Sequence, residues 1–348
     1  WTRINSINSR PMYFSKVRVD PQNDQIIYTA GVDLHQSTNG GRTFTPDAGE
    51  AVHSDHHALW INPNDPRHMI VGCDGGVYVT YDRTKTWRHL NDLALGQFYH
   101  VAVDNSPIYK VYGGLQDNGS WGGPNRATNG SGTNKADWIN VGGGDGFTVR
   151  IDPFDPDIIY STSQGGAMGR RNLRTGEQAS LRPAPRQGEQ LRFNWNTPFI
   201  VSVHNPGIFY CAGQFVFKSV KRGEDGRAIS PEITRTKRGS ATALAESPRN
   251  QDVLWVGTDD GGLAVTKDGG QTWTSVHNNL GLKKAYHVST IEASRAAPGR
   301  AYVTLTGHWS DDDNPLIFVT EDYGATFKPL ANNLPMTVTR CLREDSTN

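Results

Sequence analysis

Three of the chain's eleven histidines and an aspartate crowd into Val52-His53-Ser54-Asp55-His56-His57, just ahead of the apolar run Ala58-Leu59-Trp60-Ile61. In an extended strand, side chains alternate, so His53, Asp55 and His57 would face one side and His56 the other. His-x-Asp-x-His can offer three ligands to zinc or another divalent cation, with a fourth position open. The same residues could do acid/base work, or could form a polar network that contacts a ligand or braces neighbouring loops. A second oxygen-rich stretch, His308 followed by Asp311, Asp312 and Asp313, suits Ca²⁺ or a solvated acidic loop.

Carboxylates offer a different chemistry. Glycoside hydrolysis needs two carboxyl groups across the scissile bond, about 5–5.5 Å apart for retention and about 6.5–9.5 Å for inversion. Asp55, Asp117 and Asp145 are candidates for such a pair, with Asp74 nearby in sequence to the first. Trp121 and Trp195 could serve as sugar platforms. Gln116, Asn118, Gln164, Asn194, Asn196 and Asp259 could hydrogen-bond a ligand, together with His53, His56, His57, Asp74 and His308. The competing explanation is that the aspartates of Asp74-Gly75-Gly76 and Asp117-Asn118-Gly119 only cap turns. Nucleophilic hydrolysis finds no Gly-x-Ser-x-Gly elbow. The run Gly142-Gly143-Gly144-Asp145-Gly146-Phe147 has no helix after it to seat a phosphate.

What positions these residues is a repeat. An apolar strand, an Asp/Asn/Ser turn and a second strand ending near Gly recur at 17–31, 59–72, 101–114, 149–161, 201–213, 244–257 and 291–304. Aligned on Tyr28, Val71, Tyr112, Tyr160, Tyr210, Trp255 and Tyr302, the period is roughly 46 residues, which is propeller-like. Several repeats continue into Ser/Thr-x-Asp/Asn-x-Gly-x-Thr-aromatic, at 37–44, 266–273 and 320–327. The copy at 80–87 has Thr84 where glycine is expected, and 219–226 looks decayed. Such octets read as hairpin locks, with an acid or amide capping backbone N–H groups and glycine taking a conformation other residues avoid.

With 38 Gly, 19 Pro and 36% hydrophobic residues, the composition favours short strands and tight turns over helices. The expected fold is an all-β propeller of seven four-stranded blades, at about 11–48, 52–91, 97–141, 145–183, 193–234, 240–278 and 286–330, with 336–348 opening an incomplete further blade. Four-stranded blades repeated about an axis solve the exposed-edge problem of a sheet. In that arrangement the starts of the inner strands and the loops between the second and third strands share one face. The His, Asp, amide and Trp candidates all fall there, and pockets form where such residues converge.

Lys+Arg and Asp+Glu balance at 35 each, so no bulk field draws the chain to nucleic acid. Three well-separated cysteines give neither a disulfide framework nor a CxxC spacing; Cys73 and Cys211 read as small buried hydrophobes. No apolar stretch approaches the ~18 residues that cross a bilayer, and no targeting segment is visible. The opening Trp1-Thr2-Arg3-Ile4-Asn5 reads as the tail of a strand, so a piece of a longer chain, with further propeller or other domains, is expected.

The octets, with phrases such as HSDHHALWINPNDPRHMIVGCDGGVYVTYD, YGGLQDNGSWGGP, RFNWNTP and VLWVGTDDGGL, resemble the Asp-box (BNR-repeat) propellers over essentially the whole chain. That superfamily includes sialidases, xyloglucanases, sortilin-type ectodomains and photosystem-assembly-factor-like proteins. The chain is most similar to large bacterial secreted proteins termed glycosyl hydrolase or sortilin-like. The arginine triad and Tyr/Glu pair of sialidases are not found. The resemblance implies a secreted, periplasmic or cell-surface setting. It leaves two functions open: a non-catalytic propeller presenting its polar mouth to a glycan, peptide or protein partner, and a glycoside hydrolase using an aspartate pair.

Overall fold

The computed structural model describes every residue except 9, 14, 91–94, 128, 129, 131, 331, 332, 346 and 348. The chain has the all-β fold of a propeller, seven consecutive antiparallel meanders, and among the described residues the helical segments are short 3₁₀ turns. They fall into two compact units, Trp1–Gly96 and Gln97–Asn348. Among the described residues, no helix is long and apolar enough to cross a membrane.

The first unit holds two sheets. One is β1 (Lys16–Asp20), β2 (Asn23–Ala30) and β3 (Leu34–Ser37). Thr45 and Ala48 add backbone hydrogen bonds to Gln36 and Leu34, as a fourth strand would. The other is β4 (His56–Ile61), β5 (Met69–Cys73), β6 (Gly76–Thr80) and β7 (Arg88–His89). Tyr28, Leu34, Met69 and Val71 are fully buried in a shared cluster. Pairing of Trp60 with Ile70, against Arg18 with Tyr28, makes Ile70 rather than Val71 the counterpart of the repeat tyrosines.

The second unit holds five four-stranded sheets in sequence order. The first two are β8 (Phe98–Val103), β9 (Lys110–Leu115), β10 (Gly119–Pro124), β11 (Ile139–Gly142), then β12 (Val149–Ile151), β13 (Ile158–Ser163), β14 (Ala167–Asn172), β15 (Gln178–Ser180). Next come β16 (Phe199–Val201), β17 (Phe209–Ala212), β18 (Val216–Ser219), β19 (Arg227–Ala228). The last two are β20 (Ala241–Ser247), β21 (Asn250–Thr258), β22 (Leu263–Thr266), β23 (Thr274–Ser275), and β24 (His287–Ala293), β25 (Ala301–Gly307), β26 (Asp312–Thr320), β27 (Lys328–Pro329). Apolar clusters join successive sheets, for example Tyr160 and Met168 with Cys211 and Phe217, and Trp255 and Val265 with Val303 and Phe318. Cys211 is 1% exposed, a packed small hydrophobe whose thiol burial pushes up, whereas Cys73 is only half-buried.

The turn octets are locks of the expected kind. Asp268 Oδ1 accepts from Thr272 N at 2.9 Å and Thr266 Oγ1 at 2.8 Å, while its Oδ2 accepts from Thr272 Oγ1 at 2.5 Å. Asp82 and Asp322 repeat the set. These bonds stabilise the carboxylate, holding Asp82 and Asp268 near about 2. Two successive positive-φ residues follow each acid: Gly269–Gly270, Arg83–Thr84 and Tyr323–Gly324. The segment at 219–226 keeps that turn at Arg222–Gly223, with Ser219 Oγ accepting the N–H groups of Lys221 and Gly223.

Candidate functional site

In the second unit, strand starts and the loops between second and third strands bring the expected residues together. Asp145 lies in the glycine-rich lead into β12 and is 4% exposed. Its Oδ1 accepts the backbone N–H of Asp117 at 2.9 Å. Asp117 sits in the β9–β10 turn at φ 59°, a left-handed conformation that aspartate tolerates better than most residues. The bond ties the Asp145 carboxylate to the backbone of the turn that carries Asp117.

Aromatic groups build the wall next to them. Tyr99 on β8 donates its hydroxyl to Gln116 Oε1 at 2.7 Å and packs on Phe147, ring centroids 4.7 Å apart. Phe147 in turn meets the edge of Trp195 at 6.4 Å. Trp195, just ahead of the β16 sheet, is 58% exposed. Burial pushes the Tyr99 phenol up, and the charges of Asp145 and Asp117 push it further.

Amides complete the arrangement. Asn196 Nδ2 lies 2.9 Å from His100 Nε2, so a neutral His100 accepts from the amide. Desolvation, helped by the nearby Arg150 and Arg343 charges, pushes His100 down to about 4. Asn194 Nδ2 donates to Asp259 Oδ2 at 3.1 Å, and Asp259 also accepts from Ser240 N and Ser240 Oγ. Asp259 is therefore spent on holding the β20 strand start. Asn118 donates to Gln116 O, and Trp121 donates its indole N–H to Asn118 O, so both brace their own turn. Gln164 lies beside Gly144, where any added Cβ would strike it.

At the β25–β26 turn, Trp309 is 68% exposed and packs against His287 and His308. Of the acidic run beside it, Asp312 is taken by Lys284 Nζ at 2.8 Å and the Tyr286 hydroxyl at 2.7 Å. Tyr99, Phe147, Tyr286 and Trp309 are the residues sequence reasoning passed over or left without a role. Tyr99 lies inside β8, where an aromatic residue carries the signature of core packing, and Phe147, Tyr286 and Trp309 lie just outside strands.

In the first unit the histidine cluster is arranged differently from an extended strand. β4 begins only at His56, and Asp55 has φ 62°, so alternation through 53–57 fails at its centre. The carboxylate of Asp55 meets Arg10 Nη1 at 3.4 Å. His57 Nε2 meets Asp74 Oδ1 at 3.0 Å, and His53 Nδ1 meets Ser54 O. His56 is buried, with Nδ1 at 3.0 Å from Val32 O. His57 and Asp55 both approach Asp74, whose carboxylate lies within 4.8 Å of that of Asp55, while His53 Nδ1 turns to Ser54 O.

No family model matches the chain. It is 36% identical over 81 residues to the oligoxyloglucan-reducing end-specific xyloglucanase of Emericella nidulans, a match covering 19% of this chain and 10% of that protein. Among solved structures it is similar to the GH74 xyloglucanase from Xanthomonas campestris, at 15% identity and TM-score 0.45, over 88% of this chain and 51% of that one. It is also similar to YCF48 bound to D1 peptide, at 15% identity and TM-score 0.41 over 87% and 97% of the two chains. Sqt1 of Saccharomyces cerevisiae gives 12% identity and TM-score 0.49 over 90% and 84%. The chain spans about a tenth of the fungal enzyme and about half of the bacterial one.

Proposed function

We propose that the chain is an Asp-box propeller acting on a polysaccharide, with the mouth of its second unit as the glycan site. The observation that carries this is the Asp117–Asp145 contact set beside the Tyr99–Phe147–Trp195 wall. Trp195 and Tyr99 offer faces for sugar rings, and Gln116, Asn194 and Asn196 offer amides for hydroxyls. Asp117 and Asp145 supply the carboxylate pair of a glycoside hydrolase, one to protonate the leaving oxygen and the other to act as base or nucleophile. The likeness to a named xyloglucanase supports a xyloglucan-type polysaccharide as the substrate class, and we propose an extracellular or envelope setting on the Asp-box resemblance of the sequence.

Non-catalytic binding of a glycan or protein partner is the second reading. It is favoured by the way Asp145 is used to anchor a turn and Asp259 a strand start. Release of reducing ends from xyloglucan and a polysaccharide panel separates the two. Turnover by the wild type, lost in both Asp117→Asn and Asp145→Asn, supports hydrolysis. Retained glycan binding with no turnover on any substrate rejects hydrolysis and leaves the binding face.

A further inference from the structure

A cleft of about 470 Å³ opens between the β8–β11 and β12–β15 sheets, within the size range of small-molecule sites. Its origin is legible in the repeat. On β17 and β18, Cys211 pairs with Phe217, and on β25 and β26, Val303 pairs with Phe318; these side chains fill the gap to the preceding sheet. The corresponding pair on β13 and β14 is Ser161 with Gly169. A Cβ built on Gly169 would meet only Ala179 O, at 3.7 Å, and one on Gly143 would meet nothing. Apolar filler has been replaced by a hydroxyl and by space.

The cleft is polar and carries an unpaired cation. Arg171 reaches across it to donate Nη1 to Asn140 O at 3.1 Å, while its buried Nε has no partner. Among the described residues, Arg171 forms no ion pair; the neighbouring Arg170, by contrast, is held by Glu177 and Glu224. Ser163, Gln178 and Ser180 line the same space, and Ser161 donates its hydroxyl to Val141 O at 3.3 Å, leaving its oxygen able to accept. A guanidinium with an idle donor calls for a carboxylate, and the ring of hydroxyl and amide groups calls for a polyol.

We infer that this inter-sheet cleft binds a sugar acid, its carboxylate on Arg171 and its hydroxyls on Ser161, Ser163, Gln178 and Ser180. The inference concerns binding alone and stands whether or not the mouth hydrolyses anything. The probe is free glucuronate, titrated by NMR against glucose and acetate as controls. Glucuronate should bind at least tenfold more tightly than either control, with shifts at Gly143, Ser163 and Gly169. Arg171→Gln should abolish that preference for glucuronate over glucose. Gly169→Phe, which copies the filler at Phe217, should abolish all binding while leaving the fold intact by circular dichroism. Acetate binding as well as glucuronate would overturn the polyol assignment. No glucuronate binding by the wild type, or undiminished binding by a folded Gly169→Phe, would overturn the site.

Discussion

Replacing Asp145 separates what its carboxylate does for the fold from what it does for chemistry. In Asp145→Ala, the Asp117 N–H loses its acceptor in a half-buried turn. A donor left unsatisfied in this way costs about 1–3 kcal/mol. Asp145→Asn retains a side-chain oxygen in the same place and gives up only the advantage of a charged acceptor over a neutral one, about 1 kcal/mol. For a unit of this size each kcal/mol moves Tm by about 2–4 °C. The alanine variant should therefore melt roughly 2–12 °C below the wild type and the asparagine variant at most about 4 °C below it. Both should lose polysaccharide turnover, by about 10²-fold or more if the carboxylate takes part in proton transfer. Calorimetry and reducing-end assays on the same preparations read the two effects. Equal melting of the two variants would refute the anchoring role, and wild-type turnover by Asp145→Asn would refute the chemical one.

Two further outcomes follow from local geometry. His100, pushed down to about 4, should titrate there rather than near the ordinary value of about 6.5. Between those values the unfolded chain takes up a proton that the folded chain refuses, so His100 makes stability fall as pH drops from about 6.5 to 4 and adds no slope outside that window. A ring titration by ¹H–¹⁵N NMR with a midpoint near 6.5 would contradict this. Thr84, β-branched at φ 70°, occupies a position held by glycine in the other octets. Thr84→Gly should remove strain and raise stability by up to ~1 kcal/mol in urea melts, after offsetting the entropy of glycine.

The hairpin locks were legible because their bonds are local, joining residues two to four apart in the chain. Asp268, Thr266 and Thr272 announce themselves as a string. The same locality preserved the turn at 219–226, where Ser219 accepts the two N–H groups that Thr266 accepts in an intact octet, although Lys221 stands where the acid would be and sequence reading saw only decay. The contacts among the candidate residues were not legible as pairs. His100 with Asn196 and Asn194 with Asp259 lie 96 and 65 residues apart, and no spacing rule reaches that far. The alternation expected through 53–57 fails for the opposite reason. Periodicity assumed an unbroken strand, and one left-handed residue at Asp55 redirected its neighbours.

Two glutamates, Glu246 in β20 and Glu344 near the C-terminus, show how register between neighbouring segments is fixed. Glu246 at the end of β20 accepts from Ser202 Oγ at 2.8 Å and Val203 N at 2.9 Å, both just past β16. Glu344 accepts from Ser294 Oγ at 2.6 Å and Arg295 N at 2.5 Å, both just past β24. Each glutamate stands one residue before a turn former, Ser247 or Asp345, whose side chain accepts a backbone N–H two residues on. Residues 339–344 therefore lie along β24 as β20 lies along β16, and Ser289 and Thr290 add hydroxyl bonds to Thr339 O and Arg340 O. A carboxylate that takes one hydroxyl and one amide admits a single alignment, because a shift of one residue would leave it buried without either partner. The strings Leu244-Ala245-Glu246-Ser247 and Leu342-Arg343-Glu344-Asp345 carry that rule, though in sequence each glutamate looks like an ordinary polar residue beside a turn.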